Sequence, residues 1–110
     1  PSGEAQYHVV HGWPILPDGL ALGQATGVGV DSHDNVFVFH RAGRRWSDPF
    51  PTDPIEYVTI VCFDGKTGRP ITSWGEDIFI MPHGLTMDSE DNVWLTDVGR
   101  HQVFKFDHDG

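Results

Sequence analysis

The sequence predicts an all-β fold: a β-propeller of four-stranded blades, of which this chain supplies about two. Three observations predict it. The chain repeats itself, the repeated unit alternates with the two-residue period of strands, and its strands are apolar on both faces. No segment carries a persistent helical period.

The repeat is the first of these. "GVGVDSHDNVFVFHRAG" at 27–43 lines up with "GLTMDSEDNVWLTDVGR" at 84–100, an offset of 57. Further along, "VCFDGKTG" at 61–68 aligns with "FKFDHDG" at 104–110, an offset of 43. The 14-residue difference is an insertion in the first copy at about 44–57, and its "RWSDPFPTDP" is rich in Pro and Asp, the composition of an exposed loop.

Each copy then reads as strands. Residues 6–13, "QYHVVHGW", resemble an outer strand. Repeat one runs from about 24 to 77: two strands flank the "DSHDN" turn, a third covers Val58–Phe63, and "GRPITSWGE" gives a fourth. Repeat two, about 82–110, has Leu85 and Met87 alternating, the "DSEDN" turn, Val93–Thr96, and "HQVFKFD". Asp and Asn suit such turns because their side chains bond nearby backbone groups and tolerate positive φ. Eight strands are expected, two blades in permuted order. Phe37 and Phe39 lie against Val36 and Val38, and Trp94 against Val93 and Leu95, so both faces of the sheets need covering. Repeat arrays generally need about three units, so either more blades follow or identical chains associate. Three copies of a two-blade chain would close six blades, a homotrimer with cyclic symmetry.

Composition sets the outer limits. At 110 residues, 38% of them hydrophobic, the chain is sized for one small packed unit. The net charge of −9 opposes binding to nucleic acid or to an acidic membrane surface. The longest apolar run is far short of the ~20 residues that span a bilayer. The chain opens Pro1-Ser2-Gly3-Glu4 without Met, as expected of a mature product or a piece of a longer chain. Its single Cys62, set among Val58, Ile60 and Phe63, reads as a buried small hydrophobe.

His83 leads the residues that can do chemistry. It opens an innermost strand in "MPHGLTMD", where side chains point toward a propeller's axis. Neutral imidazole is a good zinc ligand, and three of them with water form an open catalytic site. The plainer alternative is a histidine that caps a strand end by hydrogen bonds. The matching position in repeat one is Thr26, and the remaining histidines form no HxxxH or CxxC set. Arg41, in "FVFHRAGRRW", ends the second strand of repeat one. A guanidinium at a channel mouth suits bidentate binding of a carboxylate; a solvated basic loop with Arg44 and Arg45 is the alternative. "DSHDN" and "DSEDN" lack the spacing and terminal Glu of an EF-hand, so turn chemistry accounts for them.

With "GQATGVGVDSHDNVFVFHRAGRRW" followed by "MPHGLTMDSEDNVWLTDVGRHQVFKFD", the sequence resembles the peptidyl-α-hydroxyglycine α-amidating lyase family, a six-bladed propeller of NHL-like repeats. The resemblance runs from about Gln6 to Asp107 and matches the first third of the family's catalytic domain, making residues 1–110 one NHL-like segment. It implies a metal-dependent lyase that cleaves a C-terminal α-hydroxyglycine to a peptide amide and glyoxylate. It further implies zinc and calcium as cofactors. His83 matches a zinc ligand, the backbone carbonyls of Val28 and Leu85 match calcium ligands, and Arg41 matches an active-site arginine. The family's other zinc histidines and its catalytic tyrosine have no counterpart here; Tyr7 and Tyr57 do not match that tyrosine. The implied partner is a peptide or small α-hydroxyglycine-type substrate, and the implied location is secreted or extracytoplasmic. Two alternatives are a non-catalytic NHL-type segment that binds a peptide or protein, and a calcium-dependent lactonase-like propeller.

Overall fold

The computed structural model describes residues 5–110. It is all-β, with seven strands: β1 Ala25–Val30, β2 Val36–His40, β3 Ile60–Phe63, β4 Pro70–Trp74, β5 Pro82–Met87, β6 Val93–Asp97 and β7 Gln102–Phe106. They form two antiparallel meanders, β1-β2-β3-β4 (blade one) and β5-β6-β7 (blade two). The segment expected as an outer strand at about 6–13 is not in a strand, so the count is seven, not eight. A strand needs a free sheet edge to pair with, and this stretch pairs with neither blade's. Its last residue and those that follow do other work: Trp13 packs on Phe63, and Leu20 and Leu22 cover Val38 and Val61.

The hairpin turns follow from the two Asp-Ser-x-Asp-Asn stretches. Asp31 accepts N–H bonds from His33 and Asn35, and Asp88 does the same for Glu90 and Asn92. Asp34 and Asp91 both take positive φ, 64° and 61°, the left-handed conformation that Asp tolerates best after Gly and Asn. The inserted stretch at about 44–57 contains no strand. Its end is pinned where Ile55 exchanges backbone bonds with Asp77 and Phe79.

The core lies between the blades. Phe37, Phe39, Ile60 and Cys62 face Leu85, Val93 and Leu95, with Phe79 wedged among them. The Phe79 ring meets Phe39 edge-on at 4.9 Å and Phe104 at 5.2 Å, the geometry aromatic quadrupoles favour. Each such ring withdrawn from water contributes roughly 1.5–3 kcal/mol. β2 and β3 are buried on both faces, by blade two on one side and by the segment around Leu20 and Leu22 on the other. Blade two is covered on one face only. Trp94 and Val103 stand exposed on the other, and β7 has no fourth strand beside it.

β1 and β5, the first strands of the two blades, run closest together. Glycine makes this approach possible: a Cβ on Gly27 would fall 2.8 Å from both the Cβ and the backbone N of Leu85. Because the clash is with backbone, Gly27→Ala is expected to force the blades apart and cost about 3 kcal/mol. Gly43→Ala, with nothing within 4 Å of the added carbon, should be near neutral. Urea midpoints of the two variants, side by side, provide the measurement.

Candidate functional site

Both inner strands open on a β-bulge at the same place in the repeat. The register slips between Ala25 and Gly27 in β1 and between Pro82 and Leu85 in β5. Bulges re-aim side chains and recur beside active sites. The bulge places Thr26 in blade one and His83 in blade two. Thr26 donates to the Phe39 carbonyl, whereas His83 is exposed and its ring joins no hydrogen bond among the described residues. Gly84 beside it is held by an N–H bond to Thr96 Oγ1 at 2.8 Å. The strand-capping alternative for His83 therefore finds no partner here.

Arg41 follows β2 on a turn fixed at both ends. Its N–H bonds the Gln24 carbonyl, its own carbonyl accepts from Arg44, and Ala42 takes a positive φ of 51°. From that turn its side chain crosses to the other blade, where Nε donates to the Pro82 carbonyl at 2.9 Å. Pro82 directly precedes His83, so the guanidinium is tethered to the backbone one residue before the histidine, at one end of the inner strands. Two residues 42 positions apart in sequence thus meet at one corner. No carboxylate lies within ion-pair distance of Arg41 among the described residues, whereas Arg44 pairs with Asp53 at 3.1 Å. Arg41, like Arg45, is an unneutralised cation of that loop among the described residues.

Val28 and Leu85 sit on β1 and β5, each an edge strand of its blade and closest to the other at Gly27 and Leu85. Two backbone carbonyls on adjacent edge strands are the kind of hard oxygen donors calcium takes. His83 suits zinc as a single donor. The described residues hold no group of three or more His, Cys, Asp or Glu able to enclose an ion. Tyr57 is engaged elsewhere, its hydroxyl donating to Gly19 and accepting from Ala21. Burial pushes the Cys62 thiol up to about 12, so it stays protonated and unreactive.

Sequence reading missed a pair of latches. In blade two the buried Asp97 carboxylate accepts the N–H groups of Ile80, Met81 and Arg100. In blade one the equivalent residue is His40, whose Nδ1 accepts from Gly23 and Ala42 at 3.1 Å each. Gly23 and Ile80 are themselves equivalent, so the two side chains do one job. The 57-residue offset pairs them, and that alignment was the available signal.

At the opposite end of the inner strands a second set of bonds ties the blades. His108 Nε2 lies 2.7 Å from Asp31 Oδ2, and Ser32 bonds Asp91. Burial raises the Asp31 carboxyl, but His108 and the N–H groups of Asn35 and His33 outweigh it and hold it at about 2. The bond to Asp31 raises the His108 imidazole above its ordinary value. A lowered acid stabilises above its unfolded pKa and loses that as pH falls through about 2. A raised histidine stabilises below its unfolded value and loses that as pH rises through its folded one. The tie is therefore expected to be fullest in mildly acidic solution and to weaken above neutrality. His108→Gln should flatten the neutral-to-alkaline arm of a stability-against-pH curve.

Comparison with known proteins fits this geometry. The NHL repeat model matches residues 79–106, which span β5 to β7. The chain is 42% identical to peptidyl-α-hydroxyglycine α-amidating lyase 1 of Drosophila melanogaster, over 91% of this chain and 20% of that protein. It is 42% identical to lyase 2 of the same organism, over 89% of this chain and 26% of that one. It is 37% identical to the rat peptidylglycine α-amidating monooxygenase, over 97% of this chain and 12% of that protein. The chain thus spans about a fifth to a quarter of the first two relatives' length.

Proposed function

We propose that this chain, which belongs to the peptidyl-α-hydroxyglycine α-amidating lyase family as a segment of its NHL-repeat propeller, supplies one corner of a lyase site for C-terminal α-hydroxyglycine. The observation that carries the reading is the Arg41–Pro82 bond, which ties an unneutralised guanidinium to the residue that precedes an exposed histidine. In the reaction the α-hydroxyl loses its proton as the C–O bond becomes a carbonyl. The C–N bond breaks and its electron pair takes a proton on nitrogen, giving the amide and glyoxylate. The substrate ends in a carboxylate, and Arg41, its Nε already fixed, presents its terminal nitrogens to it. That holds the reacting carbon in one orientation at little further entropic cost. His83 is proposed as one zinc ligand, and the Val28 and Leu85 carbonyls as calcium ligands joining the blades. Zinc, when bound, would supply Lewis acidity to the substrate oxygen.

The relatives' length favours further blades of one longer chain, over three copies of this one, as the cover for the open face of blade two. An extracytoplasmic setting belongs to the same proposal. Arg41→Met in the complete protein is expected to lower kcat/KM for an acyl-α-hydroxyglycine about 100-fold, mostly through KM, since a charge-assisted pair is lost. Unchanged glyoxylate release would remove Arg41 from the site.

A further inference from the structure

We infer that His40 is a positioning residue whose neutrality keeps the Arg41 cation available for an anionic substrate group, an inference that rests on the reading above. The two latches show why. Position 40 and position 97 close the same turn in the two blades, one with an imidazole nitrogen and the other with carboxylate oxygens. Nδ1 of histidine and Oδ1 of aspartate are both bonded to Cγ, so either reaches the same backbone N–H groups. The blades differ in what comes next. Asp97 is followed by Val98, whereas His40 is followed by Arg41.

Histidine is not the economical choice for the latch itself. With Nδ1 accepting two N–H bonds, the ring proton resides on Nε2, and that atom is buried without a partner among the described residues. An unpartnered buried donor costs about 1–3 kcal/mol. An aspartate would leave no such donor, but it would set a carboxylate on the turn that carries Arg41. Inside a protein, opposite charges attract more strongly than in water. That charge, one residue from Arg41, would offset the guanidinium's. His40 therefore does the work of Asp97 without the charge. Burial acts in the same direction, disfavouring the imidazolium.

The test compares His40→Asp, His40→Asn and Arg41→Met in the complete protein. The probe is hippurate, an acylglycine that carries the terminal carboxylate but no α-hydroxyl, titrated calorimetrically. Both changes at position 40 remove the same ring volume and keep a Cγ-bonded oxygen acceptor, so their difference isolates the charge. His40→Asp is expected to weaken hippurate about tenfold or more. It should raise KM for an acyl-α-hydroxyglycine by a similar factor, with kcat within about threefold. His40→Asn should regain most of the affinity. Equal losses in both variants, or none in either, would overturn the role of charge. No loss in Arg41→Met would instead overturn the carboxylate-binding role of Arg41. Should His40→Asp not fold, 15N shifts of the wild-type ring at neutral pH decide. An unprotonated Nδ1 with a protonated Nε2 supports the inference; an imidazolium or an Nδ1–H tautomer overturns it.

Discussion

Replacing Asp97 by alanine is expected to destabilise the fold by about 3–5 kcal/mol, the largest effect of any single change in blade two. Asp97 is 3% exposed, and its carboxylate is the shared acceptor for the N–H groups of Ile80, Met81 and Arg100. Alanine removes all of those bonds at once and leaves buried donors with no alternative. The damage should reach the site, because Met81 leads directly into Pro82 and His83. Loss of the latch frees the stretch that receives Arg41. Asp97→Asn retains one carbonyl oxygen and should cost about half as much. Unfolding midpoints followed by tryptophan fluorescence would rank the two. An alanine variant as stable as the parent would mean that those N–H groups find acceptors elsewhere.

The sequence made most of the blades legible because their signals are local. Two-residue alternation located β5 and β6, Asx chemistry located the turns at Asp31 and Asp88, and the Pro- and Asp-rich insertion stood out against its repeat. What misled was the "QYHVVHGW" segment. Strand-like composition states that a segment fits a pleated surface, not that an edge is there to receive it. The site divided the same way. His83 was marked by an unusual residue at a strand start, and Arg41 by its place after β2. That Arg41 reaches across to Pro82 is a contact between blades, set by how two sheets pack, and no local pattern encodes it. Equivalent turns also diverge through distant partners: Asp31 faces His108 of the other blade, whereas Asp88 accepts from Trp94 within its own. The role of His40 is legible only through its place as the counterpart of Asp97, 57 residues on, and not from its being a histidine.

The second large effect belongs to His83. It is exposed, and its ring makes no hydrogen bond among the described residues. Alanine there should leave stability nearly unchanged, within about 0.5 kcal/mol. Its effect on function should be severe, because one nitrogen donor of an open zinc site would be gone. The most direct test of the central claim is therefore zinc content and glyoxylate release of His83→Ala in the complete protein, measured beside its unfolding midpoint. The account predicts an unchanged midpoint with zinc lost and glyoxylate release lowered by about 100-fold or more. Full zinc and full glyoxylate release in a folded His83→Ala protein would contradict it.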